Sequence, residues 1–180
     1  RQWPHSLALL AEMPLRDLRV DVIAYNAAVT ACEKGSQWAA ALTFLGEMQE
    51  KMVPPDIITH NAAISACAGA SRWQEAFELV QGMRNTSAPL DVITYNATVA
   101  ACERASLWTT ALDILRVMRC EQAEPDIATY GAALASLSIS SEWQRVLAAL
   151  GDMRRSGCQP DVKAHTVALA ACARGAQWPE

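Results

Sequence analysis

Between Gln37 and Lys51 the apolar residues Ala41, Leu42, Leu45 and Met48 recur three or four positions apart. That spacing gathers them on one face of an α-helix. The stretch before it, Val22 to Lys34, is alanine-rich and predicts a second helix. Asp21 precedes that helix at a natural N-cap position, and Gly35-Ser36 separates the two helices. Pro54-Pro55 stops the second helix and leads to the next aspartate, Asp56. No strand-like alternation persists, so the pattern predicts an all-α fold.

This helix pair repeats. Trp3, Trp38, Trp73, Trp108, Trp143 and Trp178 are each 35 residues apart. Asp21, Asp56, Asp91, Asp126 and Asp161 keep the same spacing, as do Met13, Met48, Met83, Met118 and Met153. Three columns at one period signal an α-solenoid of helix-turn-helix repeats. Complete repeats are expected at 22–56, 57–91, 92–126 and 127–161 in a single array over 1–180. Residues 1–21 are expected to be a partial repeat holding a second helix, and 162–180 a partial repeat holding a first helix. One helix pair cannot bury its own apolar face, so neighbours must stack. Two half-repeat ends, and a start at Arg1 without an initiator Met or targeting segment, suggest a piece of a longer protein.

Composition narrows the function. Hydrophobic residues make up 52% and charged residues 19%, and alanine occurs 34 times, which favours closely packed helices over disorder. The net charge of -4 gives no global sign of a strongly basic nucleic-acid binder. No apolar run is long enough to span a bilayer, so no membrane partner is expected. The six cysteines show no C-x-x-C and no Cys/His cluster. Cys32, Cys67, Cys102 and Cys172 share the repeat period and read as a small buried column of reduced thiols. Tyr25, Tyr95 and Tyr130 share a column with His60 and His165, which reads as an aromatic packing slot. The Trp column, on the second helix, reads as packing within and between repeats. No nucleophile–base pair, metal site or phosphate loop is present, so neither catalysis nor a cofactor is expected.

Within the first helix, Ile23, Asn26, Thr30 and Lys34 share one face, and so do Ile58, Asn61, Ser65 and Gly69, then Ile93, Asn96, Ala100 and Arg104. Asn is a mediocre residue inside a helix. Its recurrence on one column, and its loss at Gly131 and Thr166, mark a position that varies between repeats and that packing alone does not call for. A local backbone hydrogen bond is the structural alternative.

The segments DVIAYNAAVTACEKG, DIITHNAAISACAGA and DVITYNATVAACERA, with Pro-Asp closing most units, resemble the pentatricopeptide repeat family. The tryptophans stand outside the family's general pattern. The resemblance implies a right-handed superhelix that binds single-stranded RNA at about one base per repeat. It implies that the Asn-column residue and the Asp closing the same repeat read the base: Asn26 with Asp56, Asn61 with Asp91, Asn96 with Asp126, and Gly131 with Asp161. Thr166 lacks its closing partner. Each Asn–Asp pair resembles a uracil reader that tolerates cytosine, and Gly131 with Asp161 resembles a guanine-preferring reader. The implied preference is U-rich, 5′-UUUG-3′. The column three before the Asn, namely Ile23, Ile58, Ile93, Ala128 and Lys163, is implied to hold each base by its faces. Lys34, Arg104 and Arg174 are implied phosphate contacts, though a cation at a helix C-terminus needs no ligand to explain it.

Two readings likewise fit the recurring Asp: helix capping and base reading, which are compatible. The fourth repeat departs most, with Gly131, Ala128 and Ser138-Ile139-Ser140-Ser141 in its turn, and Leu90 replaces the usual Pro before Asp91. The expected function is a sequence-selective RNA-binding module in organellar RNA processing, stability or expression, in a mitochondrion or plastid. A helical-repeat scaffold for protein partners, without RNA, is the alternative, and the acidic balance favours it.

Overall fold

An aspartate at the start of each first helix fixes where it begins, and a left-handed serine (Ser36, Ser71, Ser106) follows the ends of three of them. The computed structural model describes residues 3–15, 20–86, 88–139 and 143–175. Among them are ten α-helices and no strand: α1 (Trp3–Leu15), α2 (Val22–Lys34), α3 (Trp38–Glu50), α4 (Ile57–Gly69), α5 (Trp73–Asn85), α6 (Val92–Arg104), α7 (Trp108–Cys120), α8 (Ile127–Ile139), α9 (Trp143–Arg155) and α10 (Val162–Gly175). No described helix is long and apolar enough to cross a membrane.

The first helix stops at the expected Gly35-Ser36, with Gly35 right-handed at φ -91° and Ser36 left-handed at φ 54°. Ser71 and Ser106 are left-handed likewise, at φ 59° and 57°. Ser36 N–H donates to the Glu33 carbonyl (3.1 Å) and Gln37 N–H to that of Cys32 (2.9 Å), the Schellman closure that satisfies the last carbonyls of a helix. The loop before Asp91 closes as its counterparts do despite its displaced proline. Ala88 N–H donates to the Met83 carbonyl at 2.9 Å, as Val53 N–H does to that of Met48 at 2.8 Å.

The chain divides into two compact units, Arg1–Leu90 and Asp91–Glu180. In the first, α2 packs against α1, α3 and α4, and α4 against α3 and α5. Val29, Cys32, Ala41, Leu45, Ala62, Ala63 and Ala66 form one core cluster there; Leu10, Tyr25, Ala28 and Met48 form another. Alanines at the α2–α4 contact let the two backbones approach, so the first helices lie side by side. In the second unit, α8 packs against α6, α7, α9 and α10. Tyr130, Leu134, Leu137, Met118 and Met153 are fully buried. Truncating one such Met to Ala costs about 2–5 kcal/mol.

The remaining columns fall into place around these cores. Cys32, Cys67 and Cys102 are buried, and burial pushes the Cys67 and Cys102 thiols up to about 11. Tyr25, Tyr95 and Tyr130 are buried, and their hydroxyls tie the first helix to the second or its end. Lys51 donates to the Tyr25 hydroxyl at 3.0 Å, Tyr95 donates to Glu121, and Tyr130 pairs with Ser156 at 2.9 Å. The histidines of that column sit differently: His60 is half-buried and His165 exposed. Each turns Nδ1 to the carbonyl of its capping aspartate at 2.9 Å. The tryptophans are half-buried or exposed; guanidiniums cover two of them from the next repeat, Arg72 over Trp38 at 4.3 Å and Arg145 over Trp108 at 4.2 Å. The side chain of Trp3, and all of Ser140, Ser141 and Trp178, lie outside the described residues.

Candidate nucleic-acid interface

All five aspartates of the column cap a helix. Asp21 accepts from Ala24 N–H (2.9 Å), Asp56 from Thr59 N–H (2.9 Å), Asp91 from Thr94 N–H (2.8 Å), Asp126 from Thr129 N–H (2.8 Å) and Asp161 from Ala164 N–H (2.7 Å). Capping uses one carboxylate oxygen, Oδ1. At Asp56 the other oxygen, Oδ2, accepts from Asn26 Nδ2 at 2.9 Å. At Asp126 it accepts from Asn96 Nδ2 at 3.0 Å. At these two aspartates the cap and the contact with the asparagine therefore use different oxygens of one side chain.

Each of these pairs has a third member. Thr59 Oγ1 donates to Asn26 Oδ1 and lies 2.9 Å from Asp56 Oδ1. Thr129 Oγ1 donates to Asn96 Oδ1 and lies 2.9 Å from Asp126 Oδ1. Both threonines are fully buried. The sequence reading passed over them, because the partners are 33 residues apart and belong to successive repeats. A signal was there: Thr59, Thr94 and Thr129 follow Asn26, Asn61 and Asn96 at that separation, and Ala164 follows Gly131.

These contacts set the charge state of the carboxylates. Burial on its own would raise the Asp56 carboxyl. Hydrogen bonds from the Thr59 backbone, the Asn26 side chain, the Thr59 hydroxyl and the Ile58 backbone outweigh it and hold the group below its ordinary 3.8. At Asp126, burial is again opposed by the Thr129 backbone and hydroxyl, the Asn96 side chain and the Ala128 backbone, and the carboxyl is again lowered.

The isoleucines of the neighbouring column are exposed: Ile23 by 75%, Ile58 by 57% and Ile93 by 61%. A large aliphatic side chain is thus left in water at three equivalent positions of the repeat. In the second unit Asn96, Asp126, Ala128, Gly131, Asp161 and Lys163 line a groove of about 700 Å³, together with Ala100, Glu103, Ile127 and Ala132. Ile127 is half exposed beside the small Ala128.

The other expected site residues are less committed. Asn61 is half-buried on α4 in the first unit, and Asp91 caps α6 in the second. Thr166 is exposed on α10 and donates to the Val162 carbonyl at 2.8 Å. Lys34 is exposed and meets Glu33 at 3.4 Å, a surface pair of little energetic weight. Arg174 donates to the Ser138 hydroxyl, and Arg104 is exposed at the end of α6. Among the described residues no group of three or more His, Cys, Asp or Glu side chains is placed to hold a metal ion.

Comparison with known proteins bears on this surface. A family model described as a pentatricopeptide repeat domain matches residues 8–70 and 78–137, and one described as a PPR repeat matches 58–85. No curated protein sequence matches significantly. Among solved structures the chain is similar to the pentatricopeptide repeat protein PPR10 in complex with an 18-nt psaJ RNA element, at 27% identity and a TM-score of 0.79. That match covers 97% of this chain and 26% of PPR10, so the chain spans about a quarter of that protein. It is also similar to the PPR domain of Arabidopsis thaliana protein-only RNase P 1 in complex with tRNA, at 16% identity and a TM-score of 0.73 over 81% of this chain and 77% of that one. Nuclear proteinaceous RNase P 2 from A. thaliana matches at 12% identity and a TM-score of 0.83, over 99% of this chain and 40% of that one. The last two likenesses show the fold.

Proposed function

The chain belongs to the pentatricopeptide repeat family, and on that premise we propose that it is a module that binds single-stranded RNA with sequence selectivity, about one base per repeat. The observation that carries this reading is the twice-repeated Asn–Asp pair, Asn26 with Asp56 and Asn96 with Asp126, each beside an exposed isoleucine. An unstacked base needs a polar group at its edge and an apolar group at its face, and this arrangement supplies both. The complex of PPR10 with an RNA element supports the reading.

The repeats 22–56, 57–91, 92–126 and 127–161 are the units of recognition. Asn26, Asn61 and Asn96, with Asp56, Asp91 and Asp126, read uracil and tolerate cytosine. Gly131 with Asp161 leaves room for a purine, giving 5′-UUUG-3′ from N- to C-terminus. Ile23, Ile58 and Ile93 pack on base faces, with Ala128 and Lys163 in the same column. Lys34, Arg104 and Arg174 approach phosphates. The setting we propose is RNA processing, stability or expression in a mitochondrion or plastid, and no catalytic step is assigned to these residues.

The acidic balance, with Glu103 in the groove itself, favours a second reading as a scaffold for protein partners. Selection from a random RNA pool with this chain separates the two. Enrichment of U-rich oligomers supports RNA reading, and a pool unchanged after selection, or equal recovery of U-rich and A-rich oligomers, overturns it.

A further inference from the structure

The buried threonines beside the two Asn–Asp pairs have a role that capping does not explain. Capping requires only that the aspartate accept a backbone N–H, and Asp21 and Asp161 manage this with an alanine at the same position. Thr59 and Thr129 instead reach into the preceding repeat and meet the asparagine oxygen. One lone pair of each hydroxyl also completes a capping box, Asp56 N–H donating to Thr59 Oγ1 at 3.3 Å and Asp126 N–H to Thr129 Oγ1 at 3.1 Å. Each hydroxyl is thus anchored at the backbone and directs its single proton into the pair.

The consequence is a fixed amide. Nδ2 of Asn26 or Asn96 donates to a carboxylate oxygen while Oδ1 accepts from a hydroxyl. Turning the amide over would set Oδ1 against the carboxylate and also forfeit the bond from the threonine hydroxyl, so both neighbours oppose it. What remains for a ligand is one N–H and one oxygen lone pair, in a set order. Uracil presents a donor at N3 and cytosine an acceptor there, so an amide free to flip serves both alike, whereas a pinned amide favours one and only tolerates the other.

We infer that Thr59 and Thr129 are positioning residues that lock the Asn26 and Asn96 amides and so set discrimination between uracil and cytosine. This rests on the RNA-reading proposal above. A pattern in the sequence supports it independently of the geometry. Thr accompanies Asn at 26/59, 61/94 and 96/129, and both are lost together at Gly131 and Ala164. A threonine kept for the cap alone has no reason to follow a residue 33 positions earlier.

The test uses the full chain with Thr59→Val and Thr129→Val combined, against Thr59→Ser and Thr129→Ser, binding short oligouridine and oligocytidine. Helix content by circular dichroism accompanies each variant. In the valine variant the preference for uridine over cytidine falls about tenfold, and serine restores it. In the free protein, the Asn26 and Asn96 side-chain amide protons exchange with solvent more slowly than those of exposed Asn85, and valine narrows the difference. Unchanged uridine preference in a folded valine variant overturns the inference and leaves the RNA reading standing. Amide exchange that valine does not alter overturns it too. Failure of the unaltered chain to bind either oligomer overturns the RNA reading, and this inference with it.

Discussion

Asp126 and Asp161 are 35 residues apart in one unit and cap α8 and α10 with nearly the same geometry, at 2.8 and 2.7 Å. Around Asp126 stand Asn96 and Thr129; the equivalent neighbours of Asp161 are Gly131 and Ala164. The cap survives complete loss of the polar pair. Helix initiation and the Asn-facing oxygen are therefore separable properties of one carboxylate, and each can be altered without the other.

The largest effect is expected from removing what Asp126 has and Asp161 lacks. Asn26→Ala with Asn96→Ala should weaken oligouridine binding about 100-fold, at roughly 1–1.5 kcal/mol per lost contact, with little change in melting temperature. Fluorescence anisotropy checks this; a loss equal for oligouridine and oligoadenosine would mean that the amides do not read bases. The reverse exchange comes next. A Cβ at Gly131 meets nothing within 4 Å, so Gly131→Asn is sterically open. With Ala164→Thr it should turn the fourth position toward uridine by about tenfold, measured on oligomers that differ at one base. Gly131→Asn alone should gain less.

Removing the cap should act on stability at both aspartates alike. Asp126→Ala and Asp161→Ala each lose about 1 kcal/mol of helix initiation, or some 2–4 °C in thermal melts. Acid should act through the two aspartates that are paired with an asparagine. Because Asp56 and Asp126 are held below 3.8 in the folded chain, their contribution is present in full above that pH and fades as pH falls through the lowered values. Melting temperature should drop over that acid range, and Asp56→Asn with Asp126→Asn should flatten the drop. The smallest effect lies at the turns. Ser36→Gly, Ser71→Gly and Ser106→Gly relieve a left-handed serine each and should stabilise by about 0.5–1 kcal/mol per site.

The same contrast shows what the sequence makes legible. Helix starts are local, since an aspartate acts three residues away, and the 35-residue period multiplies that weak signal into a clear one. The columns of Met48 and Cys32 could be read as interior because burial follows from apolar character and spacing. Within the expected Gly35-Ser36 break the left-handed residue is Ser36, because the closing hydrogen bonds count residues from the end of the helix, whichever residue falls there. Thr59 and Thr129 stayed silent because their partners lie in the preceding repeat. A threonine at the third position of a helix is locally unremarkable, and only the fold brings it against Asn26 or Asn96.

Ile23, Ile58 and Ile93 stand in water with more than half their surface uncovered. An uncovered aliphatic column is adhesive toward any flat, weakly hydrated partner, another copy of the chain included. The vacant protein should thus be prone to clump as its concentration rises, and a bound strand should act as its own dispersant. Light scattering from the chain with and without oligouridine would register the change directly, and replacing the three isoleucines by threonine should quiet the vacant form without a strand.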